Sequence, residues 1–131
     1  MPQELSTGSS LKWDVEKDRF TGKLLAWEER EFKDTETKEL KRSHVLTFAL
    51  KDGQIIDRNS TTAWDRWMGR DVRRDGNKNV VTKVKPVLHL GDVVQIKSMD
   101  QVQKGKRRFF NFKLVTWNAK DPAYPAWAKK L

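Results

Sequence analysis

Aromatic and cationic side chains are interleaved near the carboxyl-terminal end of this chain. Residues 107–117 read Arg-Arg-Phe-Phe-Asn-Phe-Lys-Leu-Val-Thr-Trp, which predicts a β-strand because the apolar residues recur at alternate positions. One face of that strand carries Phe110, Phe112 and Leu114 and is expected in the core. The other face mixes aromatic, amide and cationic side chains: Phe109, Asn111, Lys113, Val115 and Trp117. Aromatic rings stack on bases and cations bind phosphates, so this mixture of side chains makes the strand a candidate surface for nucleic acid.

Two earlier segments offer similar outward residues. Residues 21–32 predict a long strand, in which Lys23 and Trp27 are expected on one face, two positions either side of Leu25. A strand at 93–98 is expected to bury its even-numbered apolar residues. Its outward residues are then Val93, Gln95 and Lys97.

Most of the six Trp and six Phe residues are expected to form the core. The expected core rings are Phe48, Trp64, Trp67, Phe110 and Phe112. Trp13 and Trp127 lie outside the clear elements, where either capping the end of a barrel or contacting a ligand would suit them. The candidates for stacking on bases are Trp27, Phe109 and Trp117, and each such ring contributes about 1–3 kcal/mol per base.

Positive charge is concentrated in the second half of the chain. The 27 Lys and Arg residues exceed the 18 Asp and Glu residues by nine, and six cations fall in 70–85 and eight in 101–131. Such a surplus favours a polyanionic partner, because neutralised phosphates release counterions; a basic surface without a ligand is the alternative. The cations expected to hold phosphates are Lys97, Lys106, Arg107, Arg108 and Lys113, with Arg73, Arg74 and Lys78 as a flexible clamp.

Residues for catalysis are scarce. The chain has no cysteine and only two histidines, which excludes a disulfide framework, cysteine-ligated zinc and a thiol nucleophile. No nucleophile elbow, phosphate-binding loop or dinucleotide fingerprint occurs. The acids at 28–39 alternate with bases, which predicts a solvated, salt-bridged loop rather than a magnesium site. We therefore expect a protein that is not an enzyme, with no catalytic residue, metal or cofactor.

The cellular compartment is indicated only by features that the sequence lacks. No apolar run is long enough to span a membrane, and the first residues lack a secretory signal pattern. The lack of cysteine favours a reducing, cytoplasmic location, although it is also compatible with secretion.

The elements that position these residues are expected in the order strand, strand, strand, short helix, strand, strand. Alternation predicts a strand at 44–50, and Asp52-Gly53 predicts a hairpin turn to the next strand at 54–58. Trp64, Trp67 and Met68 are spaced as on a helix over 62–69, with Ser60 or Thr61 as its cap. Residues 70–79 are expected to form a basic loop before a short strand at 80–84.

This order is the one expected of a mainly β fold, a five-stranded Greek-key barrel of the OB type with one short helix between strands three and four. The length suits one domain. We expect the domain at 13–117, a flexible amino-terminal segment at 1–12 and an extended basic tail at 118–131.

Several segments resemble the OB-fold single-stranded-DNA-binding proteins of bacteria and phages. The matching pieces are Thr21-Gly22-Lys23-Leu24, residues 45–50, residues 88–96 and the aromatic last strand, so the resemblance covers about residues 20–117. It implies a non-catalytic protein that coats single-stranded DNA with little sequence preference and protects it during replication or recombination. The chain departs from that family in its basic insertion at 70–85 and in ending Ala-Trp-Ala-Lys-Lys-Leu instead of with an acidic, glycine-rich tail. These departures would fit a phage protein or a primosome-type relative.

Other functions are compatible with the same residues. One is an RNA-binding OB protein of the cold-shock or translation type. Another is a phage assembly protein whose basic face meets an acidic protein, and a third is a magnesium-dependent nuclease. Exposed sheet edges would also allow copies of the chain to associate into a homo-oligomer.

Overall fold

The computed structural model describes residues 12–33 and 36–131, and strands dominate this part of the chain. The strands are β1 (Thr21–Lys33), β2 (Leu40–Leu50), β3 (Ile55–Asn59), β4 (Arg70–Asp75), β5 (Lys78–Lys83), β6 (Val93–Lys104) and β7 (Arg107–Trp117). A short helix, α1 (Thr62–Trp67), follows β3, and a 3-10 helix spans Ala126–Lys130. The mainly β class is confirmed. The predicted flexible segment 1–12 lies outside the described residues except for Lys12.

Five strands form one antiparallel sheet in the order β3-β2-β1-β6-β7, and β4 pairs only with β5. β1 pairs with β2 from Gly22 to Lys33 but with β6 only over Thr21–Lys23. Within the described residues β3 and β7 share no ladder, so the sheet is not closed into the barrel that the sequence predicts.

Trp13 bridges the two outer strands of this sheet, β3 and β7, which are not paired with each other. Its indole N–H donates a hydrogen bond of 2.6 Å to the carbonyl of Asn59, the last residue of β3. Its ring meets Phe112 of β7 edge-on, with centroids 4.9 Å apart, and stacks on Trp64 of α1 at 5.5 Å. Trp13 therefore belongs to the core, where it is only 6% exposed.

The helix forms where the sequence predicts it. Thr61 is the N-cap, and its hydroxyl accepts a 3.4 Å hydrogen bond from the backbone N–H of Trp64. Gly69 follows the helix with φ of 104°, a conformation that glycine adopts without strain. Trp64 is fully buried and Trp67 packs on the same core, as their helical spacing predicts. The predicted core face of β7 is also confirmed, since Phe110, Phe112 and Leu114 all pack there.

A bulge in β1 changes which residues share a face. The pairing of β1 with β2 shifts register between Leu24 and Ala26, so Leu25 is an extra residue in β1. Beyond the bulge Trp27 lies on the core face with Leu24, whereas Lys23 lies on the opposite face. The prediction that Lys23 and Trp27 share a face is therefore wrong.

Residues 70–79 do not form the predicted loop. They form β4, the turn and the start of β5 in a two-stranded hairpin, which we call the arm (residues 70–83). Gly76 in its turn has φ of 61°, which glycine allows. Every residue of β5 is exposed, so the arm extends away from the core.

The segment after β7 packs against the sheet instead of extending as a tail. Tyr124 and Ala128 are buried with Val93 on the side of the sheet opposite the main core. The Tyr124 hydroxyl donates a 2.6 Å hydrogen bond to the carbonyl of Gly91. Burial raises the pKa of Tyr124, and the negative charge of Asp92 raises it further. Val93, predicted to face outward, is fully buried because this segment covers it.

Candidate nucleic-acid interface

A cleft of about 1000 Å³ opens between α1, the arm and the turn end of the β6–β7 hairpin. Three segments meet there, of which the first two are consecutive in the chain. The first supplies Ser60, Thr61, Thr62, Ala63, Asp65, Arg66 and Trp67, the arm supplies Arg70, Asp71, Val72 and Asn79, and the hairpin supplies Lys104, Arg107, Arg108, Phe109 and Phe110.

The described lining of the cleft is strongly basic. Its cations are Arg66, Arg70, Lys104, Arg107 and Arg108, and its carboxylates are Asp65 and Asp71. Both carboxylates are already paired: Asp65 Oδ2 lies 3.0 Å from a guanidinium nitrogen of Arg70, and Asp71 Oδ2 lies 2.9 Å from Nε of Arg73. The cleft therefore has an excess of positive charge that an anionic ligand would neutralise.

Asp65 fixes the position of the groups around it. The carboxylate is 7% exposed, and its Oδ1 accepts hydrogen bonds of 2.6 Å from Ser60 Oγ and 3.1 Å from the indole N–H of Trp27. Since Oδ2 holds Arg70, this one buried carboxylate joins α1, β1 and the arm. The arm is thereby anchored at its root.

Aromatic rings lie among these cations. In the described lining they are Trp67, Phe109 and Phe110. Trp67 and Phe110 are half-buried because they also pack on the core, whereas Phe109 is 47% exposed. An exposed ring beside several cations has the chemistry to stack on a base while the cations meet phosphates.

Arg107, Arg108 and Phe109 are the residues of the predicted site that line the cleft. Other predicted residues lie near it without lining it. Arg73, Arg74 and Lys78 are exposed on the arm, and Lys106 is exposed in the β6–β7 turn. Lys113 is exposed farther along the hairpin, on the face of β7 opposite Phe112, and Lys97 is exposed in β6 at the shift of register between Ile96 and Ser98.

The remaining predicted residues are engaged elsewhere. Nζ of Lys23 donates hydrogen bonds of 3.0 Å to the carbonyl of Ala128 and 2.8 Å to that of Leu131. Trp117 packs against the buried cluster around Tyr124, as does Trp127. Neither Lys23 nor Trp117 is brought to the cleft.

Trp27 is engaged with its own neighbours as well. Its indole N–H is bound to Asp65, and its ring stacks on His44 with centroids 4.5 Å apart. The ring also packs on the main core, so it is not among the lining residues of the cleft.

The sequence reasoning missed several lining residues. Arg66 lies in the last turn of α1 and Arg70 begins β4, so no single helix or strand carries both residues and no local periodicity predicts that they meet. Lys104 is paired with Arg107 across a turn formed by Gly105 and Lys106. A two-residue turn at this Gly-containing pair is the local signal that predicts this juxtaposition.

A scan of the chain against known protein families, a search of characterised sequences and a search of solved structures find no match. In residues 12–33 and 36–131 no helix has the length and apolar character needed to cross a membrane. Among those residues no three acidic or histidine side chains are grouped so that they could hold a metal ion.

Proposed function

We propose that the chain is a non-catalytic protein that binds single-stranded DNA in the cleft with little sequence preference. The observation that carries this proposal is a set of cations without an ion pair among the described residues, Arg66, Lys104, Arg107 and Arg108, around the exposed ring of Phe109. Cations would bind phosphates and the ring would stack on a base. Neither interaction distinguishes one base from another, so binding would depend weakly on sequence.

We further propose that the five-stranded sheet is an OB-type fold in an open form. Its order β3-β2-β1-β6-β7, with a helix after β3, corresponds to five OB strands. The outer strands β3 and β7 are not paired with each other, so the barrel stays open. OB folds bind oligonucleotides partly through the loop between their fourth and fifth strands. The corresponding loop here is the β6–β7 turn, whose flanks Lys104 and Arg107 line the cleft.

The walls of the cleft favour a single strand over a duplex. An aromatic side chain can stack on a base only when that base is unpaired or no longer stacked on its neighbours. Phe109 and Phe110 lie on the β6–β7 hairpin, and the arm forms the opposite wall. The bound DNA strand would therefore run between these two hairpins.

A fluorescence titration tests the proposal. Binding of oligo-dT at low salt should quench tryptophan emission, since Trp67 lines the cleft. Phe109→Ala should weaken binding about 5- to 150-fold, the equivalent of losing 1–3 kcal/mol of stacking. Leu90→Ala is a matched control, because Leu90 is 59% exposed and lies outside the cleft lining. Absence of binding by the unmodified protein at low salt would overturn the proposal, and a matched RNA oligonucleotide would separate DNA from RNA preference.

A further inference from the structure

The arm presents two different faces. Because side chains alternate along paired strands, cross-strand partners share a face. One face carries the pairs Arg70–Lys83, Val72–Val81 and Arg74–Asn79, and we call it the basic face of the arm. The other carries the pairs Asp71–Thr82, Arg73–Val80 and Asp75–Lys78, and we call it the mixed face.

The two faces differ in net charge. The basic face has three cations and no acid, so its formal charge is +3. The mixed face has two cations and two acids, which cancel, and Arg73 there is paired with Asp71 at 2.9 Å. A charge difference of this kind directs any polyanion to one side of the hairpin.

The basic face is the side that meets the cleft. Arg70, Val72 and Asn79 line the cleft, and all three belong to the basic face. The remaining lining residue of the arm, Asp71, lies at its root, where it is 5% exposed. Arg74 and Lys83 therefore extend the charged lining beyond the cleft itself, and both are exposed.

The arm has little core of its own to hold it. All six residues of β5 are exposed, and an isolated two-stranded hairpin is only marginally stable in water. Of the three cations on this face Arg70 is held by Asp65, and a bound row of phosphates would neutralise the other two, Arg74 and Lys83.

We propose that the basic face of the arm is a second phosphate-binding surface, at which Arg74 and Lys83 hold the backbone of the single strand whose base stacks on Phe109. This inference rests on the proposed function of the cleft. It assigns binding to Lys83 and removes it from Arg73 and Lys78, which lie on the mixed face.

Two lysines of one strand provide a matched test. Lys83→Gln and Lys78→Gln remove the same charge from exposed positions at opposite ends of β5, one on each face. Affinity for oligo-dT is measured over a range of salt concentrations, and each lost phosphate contact on a single strand lowers the log–log salt slope by about 0.7. Lys83→Gln should lower the slope by that amount and Lys78→Gln should leave it unchanged. The double variant Arg74→Gln/Lys83→Gln should lower it by about 1.4.

The outcomes separate the two proposals. Equal effects of Lys83→Gln and Lys78→Gln, or an unchanged slope in the double variant, would overturn the role of the basic face while binding by the unmodified protein still supports the cleft. No binding by the unmodified protein would overturn the proposed function itself. Circular dichroism of each variant shows that the fold is retained, since none of these side chains is buried.

Discussion

Arg107 and Arg108 provide the sharpest test of where phosphates bind. Both side chains are exposed on β7 and line the cleft, so Arg107→Gln/Arg108→Gln should remove charge without disturbing the core. Since Arg70 is held by Asp65, the proposed phosphate-binding cations of the cleft are Arg66, Lys104, Arg107 and Arg108. Half of that set is lost in the double variant.

The expected size of the effect follows from counterion release. The four cleft contacts contribute about 2.8 to the log–log salt slope on a single strand, and removing two of them lowers the slope by about 1.4. Raising salt from 50 to 200 mM should therefore weaken binding by the variant about sevenfold less than binding by the unmodified protein. Fluorescence anisotropy of a labelled oligo-dT, measured across that salt range, gives both slopes directly.

The control is a second pair of cations on the same hairpin. Lys97→Gln/Lys113→Gln removes the same charge from exposed positions outside the cleft lining and should leave the slope unchanged. If Lys97→Gln/Lys113→Gln lowers the salt slope and Arg107→Gln/Arg108→Gln does not, the bound DNA runs over the outer face of the hairpin and the cleft is not the binding site.

Three further results are expected of the fold. Trp13→Ala should lower the free energy of unfolding, measured by urea denaturation, by about 3–5 kcal/mol, because a buried ring that bridges β3 and β7 is lost. A decrease below about 1 kcal/mol would show that the ring does not hold these strands together. Gly22→Ala should cost about 1–3 kcal/mol, since its Cβ would lie 3.1 Å from Cβ of the buried Phe48, and an unchanged unfolding midpoint would contradict that close approach. Tyr124, the single tyrosine, should titrate above its ordinary pKa of 10.0 in ultraviolet absorbance and return to that value in denaturant. Folding favours the neutral form of Tyr124. Its contribution to the free energy of unfolding is therefore complete below pH 10 and is lost as pH rises through the folded pKa. An ordinary pKa in the folded protein would argue against the burial of Tyr124.

Elements with local signals could be predicted from the sequence. The cap at Thr61 and the spacing of Trp64 and Trp67 depend on residues within a few positions of one another, and the helix forms there. The alternation in β7 likewise predicts its core face, because the strand contains no bulge that would interrupt it. The Asp52-Gly53 turn follows the same rule, with φ of 89° at Gly53.

The arrangement of faces could not be predicted in the same way. The bulge at Leu25 is set by how β1 pairs with β2, and it moves Trp27 to the core face while Lys23 stays outside. The final segment covers Val93 and binds Lys23 through carbonyls more than a hundred positions away. Such contacts depend on the assembled sheet, so period-two alternation overestimated how many residues are free to bind a ligand.

The candidate site was found only in part for a similar reason. The sequence identified Arg107, Arg108 and Phe109, because a single strand carries all of them. It missed Arg66 and Lys104, since these reach the cleft only when α1, the arm and the β6–β7 turn come together. The sequence predicts a loop at residues 70–79 of the arm, although Asp75-Gly76 is a turn signal between two short runs that contain valine.

Amide chemical-shift mapping during titration with oligo-dT is the most direct test of the central claim, that a single strand binds in the cleft. The largest changes should fall on residues 60–67, 70–72, 79 and 104–110, the segments that line it. Residues 118–131, which pack against the other side of the sheet, should change little. Changes confined to that carboxyl-terminal segment, or no changes at low salt, would contradict the account.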